Sequence, residues 1–260
     1  MNNFTSNLFN LNDKVAVVIG AGGHLCSQIS KGLALSGCHL SLLDIRIEKI
    51  QSLKKEIHKN SVCEILNIKI DVGIKKDHEK ALKKIENKFG RIDILINGAG
   101  INGATPFFDI SEKEWDEINN SQIKGTFFGC QVFGQHMIKN KYGSIINISS
   151  ASSGPPLSKA FTYSVSKAGI KNLTQNLGRE WGKTGIRVNA IKPGFFPTKW
   201  NKKNFLSKKR INQILSHTPM VRFGETKELI GVIIWLASDA SSFVTGTEIA
   251  IDGGFSSMTI

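Results

Sequence analysis

The stretch "AVVIGAGGHLCSQISKGLALSGCHLSLLD", Ala16–Asp44, decides the fold. It opens on a short β-branched run and turns on Gly20, Gly22 and Gly23. A helix-length segment follows, then a second apolar run that closes on Asp44. Strand, glycine turn, helix, strand and acid is the order in which a chain holds a dinucleotide. The glycines permit positive φ and a close backbone approach. The helix start offers free N–H groups and a positive dipole end to a pyrophosphate. Asp44 can accept from the adenosine ribose hydroxyls and repels a 2′-phosphate, so the stretch predicts NAD(H) in preference to NADP(H). Arg46 beside it argues weakly the other way.

The same pattern repeats along the chain. Apolar runs "KVAVVIG", "HLSLLD", "ILNIKIDV", "IDILINGAG", "GSIINISS", "IRVNAIKPG" and "EIAIDGG" alternate with helical segments. Short β-branched runs of this kind suit strands buried on both faces of a parallel sheet. The alternation predicts an α/β fold: one doubly wound, Rossmann-type domain over 1–260, with seven parallel strands and helices on both faces.

At 260 residues and 40% hydrophobic content the chain can bury a full core, and no apolar run approaches the length of a membrane span. The N-terminus "MNNFTSNLFN" does not read as a secretory signal. Cys26, Cys38, Cys63 and Cys130 show no CxxC spacing, so neither a disulfide framework nor a metal site is expected, and the reading is cytoplasmic. The net charge of +13 raises a nucleic-acid role. Its distribution argues otherwise: lysines spread over segments such as "KKDHEKALKKIENKFG", as on solvated helix faces. A basic surface can instead steer an anionic substrate.

Chemistry-bearing residues gather at strand ends. "NGAG", Asn97–Gly100, closes the fourth run, and Ser149 and Ser150 close the fifth. "YSVSK" sets Tyr163 and Lys167 four apart, on one face of a helix. "PGFFPT", Pro193–Thr198, follows the sixth run, and "DGG", Asp252–Gly254, the seventh. Together these resemble the short-chain dehydrogenase/reductase family over about residues 12–256. Within it, "GAGGHLC", "GCQVFGQHMI", "KPGFFPT", "HTPMVRFGE" and "DGGFSSMT" most resemble the sugar-acid branch, the D-mannonate oxidoreductases (fructuronate reductases) and gluconate 5-dehydrogenases.

The resemblance implies an oxidoreductase interconverting a secondary alcohol and a ketone. Tyr163 becomes the general acid/base, because a neighbouring ammonium on Lys167 favours the phenolate. Lys167 also holds the nicotinamide ribose, and Ser150 orients the substrate oxygen. The cofactor set implied is Gly20, Gly22, Gly23, His24, Leu25, Asp44, Asp71, Val72, Asn97, Ala99, Gly100, Tyr163, Lys167, Pro193, Gly194, Phe196 and Thr198, with Ile191 near the nicotinamide amide. A lid is expected at about 198–222. It carries Lys199, Lys202, Lys203, Lys208, Lys209, Arg210 and Arg222, which suit a carboxylate-bearing polyol. A homotetramer is implied, with the helices of Gln122 and Tyr163 at one interface.

Three departures from the family pattern stand out. His24 and Cys26 replace glycines of the turn. Gly98 replaces an asparagine. Gln122 replaces the asparagine that carries a proton-relay water, and so joins the catalytic set in question. Two other readings stay open: a 3-oxoacyl-carrier-protein reductase, which Asp44 disfavours, and a non-catalytic cofactor-binding scaffold.

Overall fold

The computed structural model describes residues 4–155, 157–158, 160–198 and 206–259. All seven predicted runs are strands: β1 Val15–Ile19, β2 His39–Asp44, β3 Ile65–Lys69, β4 Ile94–Asn97, β5 Gly143–Ile148, β6 Ile186–Pro193 and β7 Glu248–Ile251. They form one parallel sheet in the order β3-β2-β1-β4-β5-β6-β7. The order reverses at β1 and β4, and a doubly wound sheet opens a crevice outside the strand ends at that point.

The helices are α1 Phe4–Leu8, α2 His24–Leu35, α3 Ile47–Ile57, α4 Lys75–Phe89, α5 Glu112–Asn119, α6 Gly125–Asn140, α7 Phe161–Trp181, α8 Lys208–Ser216 and α9 Ile230–Ala237. The pleat of β1 sorts its side chains into two cores. Ala16 and Val18 pack with Ile29 and Leu33 of α2, Ile50 of α3 and Ile233 of α9. Val15, Val17 and Ile19 pack with Ile85 of α4 and Phe133 and Met137 of α6. Local signals end the elements where expected. Gly90 stops α4 in the left-handed region at φ 72°, and the Ser111 hydroxyl caps α5 by accepting from the Glu114 N–H.

Between α5 and α6 the helix widens into a π turn over Asn120–Lys124, which carries Gln122 inward. Such a bulge re-aims one side chain at the cost of regular hydrogen bonding, and it often lies at a functional site.

Two of the departures prove to be halves of one contact. A Cβ at Gly98 would lie 2.2 Å from the Cys26 Sγ. The thiol on α2 therefore fills the space that any side chain at the end of β4 would enter. A larger residue at 26 is tolerated because 98 is glycine. Gly98→Asn is accordingly expected to cost about 1–3 kcal/mol through overpacking. Adding Cys26→Gly should recover at least about 1 kcal/mol of that loss beyond additivity, measured as a double-mutant cycle by chemical denaturation. Additivity within about 0.5 kcal/mol would show the two sites to be independent.

Candidate active site

The glycine turn is fixed to β2 by hydrogen bonds. Gly20, at φ 78°, donates to the Leu43 carbonyl at 2.7 Å, and Ala21 donates to the same oxygen at 3.1 Å. A Cβ at Gly20 would stand 2.6 Å from the Ala99 backbone, so only glycine lets the turn and the end of β4 approach this closely. Gly23 precedes α2 without a side-chain cap, which leaves the first-turn amides to an external acceptor.

Asp44 is buried at the end of β2. Its Oδ2 accepts from the Gly22 N–H at 2.9 Å, and its Oδ1 accepts from the Arg46 N–H at 2.9 Å and from Nε at 3.3 Å. The carboxylate thus builds the turn and holds the nearby guanidinium, while Oδ2 keeps a lone pair for a further donor.

Two clefts meet over the carboxyl ends of the strands. The outer one, about 640 Å³, is lined by Gly20, Asp44, Asp71 and Val72. The inner one, about 980 Å³, is lined by His24, Leu25, Gln122, Ser150, Tyr163 and Lys167. Ala99 and Gly100 line both, and Gly194 and Phe196 line the inner.

Not every expected cofactor residue reaches them. Asn97 is buried between β4 and β5, donating to Asn147 Oδ1 at 2.8 Å, while Asn147 donates to Thr174 Oγ1 at 2.9 Å. It ties strands and α7 together. Ile191 is sealed in the core of β6, and Phe196 takes the place in the cleft expected of it. Gly22, Pro193 and Thr198 lie outside both linings, Gly22 because it is turned onto Asp44.

Tyr163 and Lys167 share one face of α7, with Nζ 5.4 Å from the phenol ring centroid. Lys167 is buried and donates to the Ile148 carbonyl at 2.6 Å, at the end of β5. Among the described residues no carboxylate pairs with it. Burial pulls its amine down to about 8, with Cys26 opposing. Burial pushes the Tyr163 phenol above its ordinary range, and the Ser150 hydroxyl draws it part of the way back. The sequence reading expected the ammonium to lower the phenol. Burial is the larger effect, and the group that opposes it is the Ser150 hydroxyl rather than the Lys167 ammonium. Gln122 donates to the Ile101 carbonyl at 2.9 Å, and its buried Oε1 has no partner among the described residues. Burial lowers His24, which stands in the wall of the inner cleft as a polar side chain.

Ser150 begins a short turn, Ala151–Ser153, and accepts from the Ser152 N–H and hydroxyl at 3.2 and 3.1 Å. The residues on either side are clamped by one partly buried acid that sequence reasoning missed. Glu248 Oε1 accepts from the Ser149 hydroxyl at 2.5 Å and from the Ser153 hydroxyl at 2.7 Å, and Lys171 stands 3.9 Å from Oε2. Glu248 lies about a hundred residues away, at the start of β7, and only the β6–β7 pairing brings it to β5.

The lid cations divide. Lys209 and Arg210 of α8 line the inner cleft. Arg222 is held by Glu228 through contacts of 2.9 and 2.7 Å and lines a separate cavity of about 420 Å³ behind Phe196. It is thereby removed from the substrate set. Lys208 does not line the inner cleft, and Lys199, Lys202 and Lys203 lie outside the described residues.

Comparison with known proteins then decides the family. A family model described as enoyl-(acyl carrier protein) reductase matches residues 21–256. The chain belongs to the short-chain dehydrogenase/reductase family. It is an oxidoreductase of the type that acts on CH–OH groups. Gluconate 5-dehydrogenase of Gluconobacter oxydans is 32% identical over 95% of this chain and 96% of its own. A crystal structure of a D-mannonate oxidoreductase, so assigned, from Haemophilus influenzae with bound NAD superposes with TM-score 0.92 at 36% identity, covering 99% of each chain. A gluconate 5-dehydrogenase from Burkholderia cenocepacia in complex with NADP and tartrate superposes with TM-score 0.93 at 29% identity, covering 98% of this chain and 100% of that one.

Removing the clamp tests its role. Glu248→Ala should lower kcat about 10- to 100-fold by loosening Ser150, with cofactor affinity little changed. Glu248→Gln should restore most of the loss, because its amide oxygen still accepts from both serines. Steady-state kinetics with calorimetric cofactor titration checks this; wild-type kcat in Glu248→Ala would remove Glu248 from the account.

Proposed function

We propose that this protein is an NAD(H)-dependent dehydrogenase interconverting a secondary alcohol and a ketone on a sugar acid. The observation that carries the reading is the convergence of Ser150, Tyr163 and Lys167 in one cleft, below the uncapped start of α2.

The residues present fit a nicotinamide dinucleotide. The α2 amides suit the pyrophosphate, Asp44 Oδ2 the adenosine ribose, and Asp71 and Val72 the adenine. When bound, the nicotinamide supplies the hydride acceptor. Tyr163 Oη takes the proton of the substrate hydroxyl as its carbon gives up hydride. Ser150 holds the same oxygen, and Lys167 keeps positive charge beside the developing phenolate. Gln122 Oε1 is the acceptor left for a water that carries the proton onward. The preference for NAD(H) is supported by Asp44, which meets a 2′-phosphate as a like charge, and by Arg46, whose guanidinium Asp44 already engages. The sugar-acid class is supported by the names of the relatives and neighbours above.

The reading extends to assembly and place. Phe127, Trp115, Phe161 and Val165 expose apolar surface on α5, α6 and α7, which supports burial of these helices in a homotetramer. The four buried free thiols support a cytoplasmic setting. Among the described residues no helix is long and apolar enough to cross a membrane.

Tyr163→Phe should keep the fold and cofactor binding while turnover falls by about 10²–10⁴-fold. Steady-state oxidation over a panel of hexonates checks it, and wild-type turnover in that variant would exclude Tyr163 as the base. Calorimetric titration should find NADH bound more tightly than NADPH; the reverse order would refute the role of Asp44. Light scattering should report four chains, and a stable monomer at micromolar concentration would refute the assembly.

A further inference from the structure

The inner cleft has a one-sided charge. Among the described residues that line it there is no aspartate or glutamate, while Lys167, Lys209 and Arg210 all do. Lys167 is already committed to the Ile148 carbonyl. The other two belong to the first turn of α8, where cations meet the positive end of the helix dipole. Folding alone does not favour that placement.

Arg210 has a particular state. Its backbone N–H donates to the Ser207 hydroxyl, which caps α8 and fixes the turn. Its Nη1 donates to the Ser158 hydroxyl at 2.9 Å, across the mouth of the cleft from the segment that follows Ser150. That is a neutral partner, and it leaves most of the guanidinium fork unused. Arg222 shows the contrast on the same segment: it has a carboxylate, Glu228, on both arms. A half-buried guanidinium that, among the described residues, lines a cleft without acids and is held by one hydroxyl is set for a planar anion. Gln122 lines the same cleft.

We infer that Arg210 is the carboxylate anchor of the substrate, with Lys209 beside it, so that the acid end of the sugar acid lies against α8 and its carbinol faces Tyr163. The inference rests on the dehydrogenase reading above and names its substrate as anionic at one end. Recognition by a fork at a fixed distance from the base also sets which carbon is presented, which a diffuse positive surface does not do.

The probes are D-gluconate and D-mannonate, each paired with its alditol, D-glucitol or D-mannitol, which replaces the carboxylate by a hydroxymethyl group. Wild type, Arg210→Gln and Arg210→Lys are compared by steady-state oxidation at saturating NAD, and by calorimetric titration of each hexonate into protein saturated with NADH. Arg210→Gln should raise KM and the dissociation constant for the hexonate about 10- to 100-fold. It should leave kcat within about threefold and the alditol unaffected. Arg210→Lys should recover part of the loss, and NADH affinity should not change. An unchanged KM for the hexonate, an equal rise for the alditol, or a loss of NADH affinity would each overturn the assignment. Hexonate turnover without an Arg210 effect would overturn this inference and leave the dehydrogenase reading standing. Hexonate binding weakened by Arg210→Gln in a protein that oxidises no sugar acid would do the opposite. Wild type that neither binds nor oxidises either hexonate would overturn the inference as well.

Discussion

The site depends on one buried ammonium. Lys167 reaches from the second turn of α7 to the Ile148 carbonyl at the end of β5, and that contact sets the helix against the sheet. Tyr163, one turn earlier, is placed by it. The arrangement is costly. Among the described residues this lysine has no acid partner, and burial that pulls its amine from an ordinary 10.5 down to about 8 destabilises the folded state at neutral pH by about 3 kcal/mol. A methionine would fill the same volume without that penalty. The chain keeps a charge where packing would reject it, and such a trade is characteristic of a site held for chemistry.

Around this cation the remaining features are supports. Glu248 clamps the serines beside Ser150, the π turn presents Gln122, and Asp44 shapes the turn under α2. Each is a polar group spent on geometry. The three do not share an element: they arise from β7, from the α5–α6 junction and from β2. What unites them is the cleft region over the sheet, to which the end of β2, the start of β7 and a helix junction are brought from distant parts of the sequence.

Much of this was legible in the sequence. The strands were readable as short β-branched runs; β1, β4 and β5 are buried along their whole length, whereas the edge strands β3 and β7 are partly exposed and carry polar residues. Ser150, Tyr163 and Lys167 were singled out by their combination with the other family-like motifs, since a lone Tyr-x-x-x-Lys is more often a surface pair, and the fold brings the three to one cleft. Two kinds of feature were not. The Glu248 clamp depends on tertiary register, which no local pattern encodes, and the Arg222–Glu228 pair, though only six residues apart, depends on the turn between them. Cys26 and Gly98 looked like separate departures because their contact spans two elements far apart in the chain. Asn97 and Ile191 were placed in the cleft by likeness, whereas the pleat turns both into the interior, where one ties strands together and the other fills the core. The direction of the Tyr163 shift was missed for a related reason: the ammonium is visible in the sequence and the burial is not.

The central claim is that Lys167 is a buried, unpaired cation whose charge opposes folding. Its most direct test is the pH dependence of stability, measured by chemical denaturation of wild type and Lys167→Met. The folded amine sits near 8 and the unfolded one near 10.5, so between these values the unfolded state binds more protons. Wild type should therefore gain stability relative to Lys167→Met as pH rises through that window, by about 3 kcal/mol in all, with a constant difference below it. A difference that stays flat from neutral pH to beyond the upper value would show that the ammonium is solvated or paired in the folded protein, and would contradict the account.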